Sequence, residues 1–184
     1  MHKLIMLSLL AVACPAMADS VKGYCERDGK RLDFHDGIAF ADARDAAGVL
    51  TTTFYLTVKP LDRAALARCP DCADAPGENT FMSPRGDFIE AQPSTRAGWL
   101  EIQHVGGELD MTTIVNLMYR SDDGVMTGLD GGNGEVKLST NRADRIAGKV
   151  GSIARGEGYD ETDMRCEVAF DLAVGWPKRI ASRP

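Results

Sequence analysis

Histidine is scarce in this 184-residue chain: three in all, of which only His35 and His104 lie beyond the first eighteen residues. Neither stands in a G-x-S-x-G elbow or an H-E-x-x-H pair, which excludes the commonest hydrolase and zinc-protease signatures. Each is read as a satisfied or exposed side chain. Basic residues are also in deficit. Lys and Arg number 21 against 27 Asp and Glu, for a formal charge of −6. That balance argues against a nucleic-acid partner, because phosphate binding needs concentrated Lys and Arg. No apolar run after residue 18 is long enough for a membrane-spanning helix. No period of twenty to fifty residues repeats, and no low-complexity tract appears. The alternation of strand and helix patterns that a thioredoxin-like domain requires is absent as well.

What is present begins with an export signal. His2 and Lys3 give a positive start, Leu4 to Ala13 form a short apolar run, and Ala16-Met17-Ala18 supplies a small-x-small cleavage pattern. Residues 1–18 are therefore expected to be a signal peptide, with cleavage before Asp19. Residues 19–184 are expected to form a single domain with a frayed tail from about residue 175. Loss of Lys3 takes the charge from −6 to −7. A rival reading takes Leu10-Ala11-Val12-Ala13-Cys14 as a lipoprotein box with Cys14 acylated. Either way the chain is expected in the periplasm or outside the cell.

Four cysteines follow residue 18: Cys25, Cys69, Cys72 and Cys166. An even number in an exported chain reads as two disulfides, with three possible pairings. The expected set is Cys69–Cys72 with Cys25–Cys166, since the first two are already adjacent. Cys69-Pro70-Asp71-Cys72 could instead be a redox pair or half of a four-thiolate zinc site. A redox CxxC normally opens a helix, whose dipole lowers the thiol pKa. Here the helical pattern, Pro60 to Arg68, comes before it. Zinc lacks a second closely spaced pair. A structural clasp is the reading adopted, with no metal and no cofactor.

The rest of the chain is strand-like. Val21 to Cys25, Arg31 to Phe34 and Ile38 to Ala41 are short strands parted by turn signals at Asp28-Gly29 and Asp36-Gly37. Val49 to Val58 is rich in Thr, Phe and Tyr, as strands are. From Ala73 to Gly98 the proline- and glycine-broken stretch reads as a long surface excursion, with one strand at Asp87 to Ala91. Trp99 to Val105, Leu109 to Tyr119, Val125 to Gly128, Glu135 to Thr140, Arg145 to Ile153 and Asp163 to Val174 complete the pattern. The expected fold is all-β: an antiparallel β-sandwich, immunoglobulin-like or related, of about nine strands with one short helix. The later methionines (Met82, Met111, Met118, Met126 and Met164) suit core filling better than copper binding.

One charge pattern suggests a site. Glu157, Asp160, Glu161 and Asp163 surround Tyr159, while Asp130 and Glu135 bracket Gly131-Gly132-Asn133-Gly134. If both segments are turns of a meander, they share one end of the sheet and gather six carboxylates beside a tyrosine. That would make a docking edge for a cationic partner or a divalent-metal site. The acidic residues do not follow EF-hand spacing, and a glycine-rich hairpin explains 131–134 equally well.

Two stretches resemble uncharacterised bacterial exported β-sandwich proteins. The first is Asp28-Gly29-Lys30-Arg31-Leu32, then Ile38-Ala39-Phe40-Ala41, then a strand ending in Lys59-Pro60-Leu61. The second is Asn141 to Val150, with its Asn141-Arg142-Ala143-Asp144 turn. The resemblance implies a fold and carries no catalytic residues. Together these features lead to the expectation of a non-catalytic exported binding protein, an inhibitor or immunity-type protein facing a partner in the cell envelope. The alternatives are a thiol-disulfide protein using Cys69 and Cys72, and a small-ligand or metal-binding module.

Overall fold

The computed structural model describes residues 18–27, 29–44, 50–72, 84–105, 113–120, 126–154 and 164–178. Nine strands dominate these residues: β1 (Ser20–Arg27), β2 (Lys30–Phe34), β3 (Asp36–Arg44), β4 (Leu50–Thr57), β5 (Trp99–Val105), β6 (Thr113–Arg120), β7 (Met126–Arg142), β8 (Arg145–Ala154) and β9 (Arg165–Ala173). They are hydrogen-bonded in the order β2-β1-β9-β8-β7-β6-β5-β4-β3, and every neighbouring pair is antiparallel. The all-β antiparallel class is thus as expected. The immunoglobulin-type sandwich is not what this pairing gives, because the strands form one sheet with no crossover between two.

The two ends of that order, β2 and β3, are consecutive in the chain and separated only by His35. Asp36-Gly37 is therefore the start of a strand and not the expected turn. The run from Lys30 to Arg44 pairs with β1 along its first part and with β4 along its second. A sheet whose two edges belong to one bent run is rolled up on itself. The Gly175 amide donates to the Ala39 carbonyl at 2.8 Å, next to a parallel bridge between Ala39 and Val174. Across the interior the rings of Phe54 on β4 and Phe170 on β9 lie 4.7 Å apart.

Strand alternation sends one face inward. Cys25, Phe34, Phe54, Leu56, Leu100, Ile102, Val136, Ile146, Val150, Val168, Phe170 and Leu172 are all buried in this inner core. Burying each large aliphatic or aromatic side chain contributes about 1.5–3 kcal/mol. The interior is thus packed with side chains. Cys25 and Cys166 are directly opposed on β1 and β9, with Cα atoms 4.1 Å apart, and are joined by a disulfide. The second disulfide joins Cys69 and Cys72. Both pairings are the expected ones.

A second core lies on the outside. The described parts of the segment between β4 and β5, 58–72 and 84–98, pack on the outer face of β3, β4 and β5, burying Ile38, Phe40, Tyr55 and Trp99 beneath Leu61, Leu66 and Ile89. They contain α1 (Arg63–Leu66) and α2 (Pro84–Glu90). The helix expected from Pro60 begins three residues later, because the Asp62 carboxylate caps it by accepting from the Ala65 amide at 2.9 Å. Asp87 to Ala91, expected as a strand, lies mostly within α2. Arg85 and Ile89, four apart, share its buried face. Arg85 threads into the seam, donating through Nε to the Cys72 carbonyl and through Nη1 to the Ala41 carbonyl, both at 2.8 Å. Its guanidinium also lies 5.6 Å from the Phe40 ring centre and 5.5 Å from that of Trp176, beside the contact those two rings make with each other. Trp176 meets Phe40 edge-on at 5.4 Å and donates to the Leu66 carbonyl. The tail expected to fray from about residue 175 is therefore held down at this point. No helix among the described residues is long and apolar enough to cross a membrane.

Candidate binding surface

Two residues of the expected docking edge, Asp130 and Glu135, fall among the described residues. Asp130 and Glu135 both lie within β7, a continuous strand of 17 residues. Gly132, Asn133 and Gly134 are paired with β6, and Asn133 and Gly134 with β8 as well. The expected glycine-rich turn at 131–134 does not exist, so its two acidic residues do not bracket a loop. At Gly134 backbone pairing on both sides compensates for the poor strand propensity of glycine, while Gly131 falls at an irregularity of the β6–β7 register. Glu135 is exposed on the outer face beside Gly151. Glu157, Tyr159, Asp160, Glu161 and Asp163 lie outside the described residues.

The CxxC pair follows α1, as expected, and it is enclosed. Cys69 is 5% exposed and Cys72 is fully buried. Of the histidines, His35 is exposed at the β2–β3 bend. His104 is buried in the interior with its Nε2 3.2 Å from Asn141 Nδ2. Beneath the excursion Tyr55 lies between Glu90 and Glu101, and its hydroxyl donates to Glu90 Oε1 at 3.1 Å. Burial, reinforced by the two carboxylates, pushes the Tyr55 phenol far above its ordinary range, so it stays a neutral donor. Desolvation also raises Glu90, against the opposing pull of the Tyr55 hydrogen bond.

The open surface lies elsewhere, on the outer face of β1, β9, β8 and β7. A groove of about 420 Å³ runs there, lined by Lys22, Glu135, Lys137, Lys149, Gly151, Glu167 and Ala169 among others. Its origin is legible in the register. Lys22 is paired with Ala169, Ala169 with Lys149, and Lys149 with Lys137, so one row crosses four strands. At about 4.8 Å per strand, Lys22 and Lys137 stand about 14 Å apart along it. On the same face, one step along the strands, Tyr24, Glu167, Gly151 and Glu135 follow. Ala169 and Gly151 carry almost no side chain, and the long residues around them stand up as walls.

The charges on this face are unevenly matched. Arg165 pairs with Glu167 at 2.7 Å, and Arg31 pairs with Asp33 at 2.8 Å. The Arg31 guanidinium also stacks 3.7 Å from the centre of the Tyr24 ring. These partners depress both carboxyls, chiefly through the hydrogen bond from the neighbouring guanidinium. By contrast, Lys22, Lys137 and Lys149 are exposed, and none makes an ion pair among the described residues. Sequence reasoning missed these three lysines. Each is an ordinary outward residue of an alternating strand, and only cross-strand register makes them neighbours.

No protein-family model matches the sequence, and no curated protein or solved structure shows significant similarity to it.

Proposed function

We propose that this is a non-catalytic exported binding protein that engages a protein partner in the cell envelope, in the manner of an inhibitor or immunity protein. The contact face is the outer surface of β1, β9, β8 and β7. The observation that carries the reading is the groove over Ala169 and Gly151, on exposed sheet, in a molecule whose described inward residues form a packed core. Tyr24 and Arg31 stand beside it, residue types that anchor protein interfaces. The two disulfides and the amino-terminal signal pattern favour a periplasmic or secreted location, with acylation at Cys14 as the variant in which the protein is tethered. The enclosure of Cys69 and Cys72 counts against thiol-disulfide exchange, which needs a sulfur open to attack.

A photo-crosslinking residue placed at position 169, in cells that make the protein, tests this. The expected result is one discrete protein adduct that is absent when the same residue stands at position 178. If positions 169 and 22 both give no adduct, the contact face is wrong.

A further inference from the structure

We propose that the lysine row of the groove is the docking site for an acidic segment of the partner, whose carboxylates lie across Ala169 between Lys22 and Lys149, with Lys137 extending the row. This rests on the reading above that the groove face is the contact surface, and it supplies the chemistry of what binds there.

The argument starts from a local conflict. Lys137 and Lys149 are directly opposed on neighbouring strands. Like charges in that position destabilise a sheet, and opposite charges stabilise it. The adjoining part of the same face follows the favourable rule. Glu26 is opposed to Arg31 on one side and to Arg165 on the other, and Arg165 also reaches Glu167. Arg142 and Arg145 are also opposed on this face, but each pairs with a carboxylate, Asp144 and Asp171 respectively. The lysine row has no such pairing among the described residues, in a chain whose formal charge is −6. Among the described residues no carboxylate forms an ion pair with these three ammonium groups, although Glu135 and Glu167 line the same groove. An anion seated over Ala169 would relieve that repulsion.

The shape of the site narrows the anion. Lys22 and Lys149 flank Ala169 from the two adjoining strands, so their flexible stems can converge on one group above its methyl. The row continues to Lys137, which suits a chain of several carboxylates more than a single small ion. Glu135 and Glu167 line the other side of the groove. They would repel a dense polyanion or an anionic membrane, as would the net charge of the molecule. A peptide of mixed charge is tolerated there, and its apolar parts can rest on Tyr24.

Fluorescence polarisation with a labelled peptide of mixed composition, Ala-Glu-Ala-Glu-Lys-Ala-Glu, at low salt tests the assignment. The wild-type protein is expected to bind it, and Lys22→Glu with Lys149→Glu to weaken binding at least about tenfold. Lys178→Glu, an exposed reversal on the tail, should change it less than about twofold. Raising salt from about 20 to about 200 mM should weaken the wild type and leave the double variant little altered. Both lysines are exposed and Lys149→Glu faces Lys137, so a melting temperature no lower than that of the wild type would show that the double variant is folded. Absence of wild-type binding, or an equal loss in Lys178→Glu, would overturn the assignment. So would binding to phosphatidylglycerol vesicles in place of the peptide. The crosslink at position 169 separates the two levels. An adduct that survives the double reversal sinks the acidic-segment assignment and leaves the contact face standing. No adduct in the wild type removes the contact face itself.

Discussion

Glu90 shows how one side chain can couple this fold to pH. Its residue is largely exposed, yet its carboxylate leans on the Tyr55 hydroxyl under the excursion, and desolvation raises it above its ordinary value of 4.5. A group raised on folding holds its proton more tightly in the native state. Its contribution is complete below pH 4.5 and is lost as pH rises through the folded value. Glu90→Gln keeps an oxygen to accept from Tyr55 and removes the charge. The variant should gain stability relative to wild type above that range, by no more than about 0.5 kcal/mol for so exposed a site. Melting temperatures from pH 4 to pH 8 check the sign. A gap between variant and wild type that widens toward acid would contradict it.

At the scale of elements, β1 depends on a single glycine. Gly23 has φ +139°, a conformation that side-chain-bearing residues rarely adopt. A Cβ there would also run into the Glu167 carbonyl of β9. Gly23→Ala combines backbone strain with a clash against backbone and should cost about 3 kcal/mol. The urea midpoint should fall with the slope unchanged. A change under about 1 kcal/mol would mean that β1 and β9 can part locally at low cost. The excursion shows the opposite dependence. Pro84 and the Arg85–Ile89 spacing are helix signals, but the broken composition around them hides the helix until Ile89 and Leu66 are seen packed on Tyr55 and Trp99.

For the whole molecule, the bridge from Cys25 to Cys166 closes a loop of 141 residues, whereas Cys69–Cys72 spans only three. In the chain-entropy model the long bridge contributes about 5 kcal/mol and the short one about 2 kcal/mol. Cys25→Ala with Cys166→Ala should therefore lower stability far more than Cys69→Ala with Cys72→Ala, as read by denaturant unfolding. Equal losses would show that the β1–β9 seam is held by its ladder. Net charge and local charge differ here: the formal charge is −6, while the outer face carries three lysines in register that form no ion pair among the described residues.

The sequence by itself determined the local and covalent features. Alternation of apolar and polar residues marked most of the strands, because the pleat repeats every two residues. The parity of Cys166, Val168, Phe170 and Leu172 marks the inward face of β9. An even set of cysteines around one adjacent pair gave both disulfides. Only the tertiary structure decided the rest. Turn signals at Asp36-Gly37 and at 131–134 were absorbed into strands, because pairing with neighbours outweighs local turn preference. Whether strands make two sheets or one rolled sheet depends on which edges meet, and that is set by contacts far apart in the chain. For the same reason Lys22, Lys137 and Lys149, up to 127 positions apart, became a site only through register.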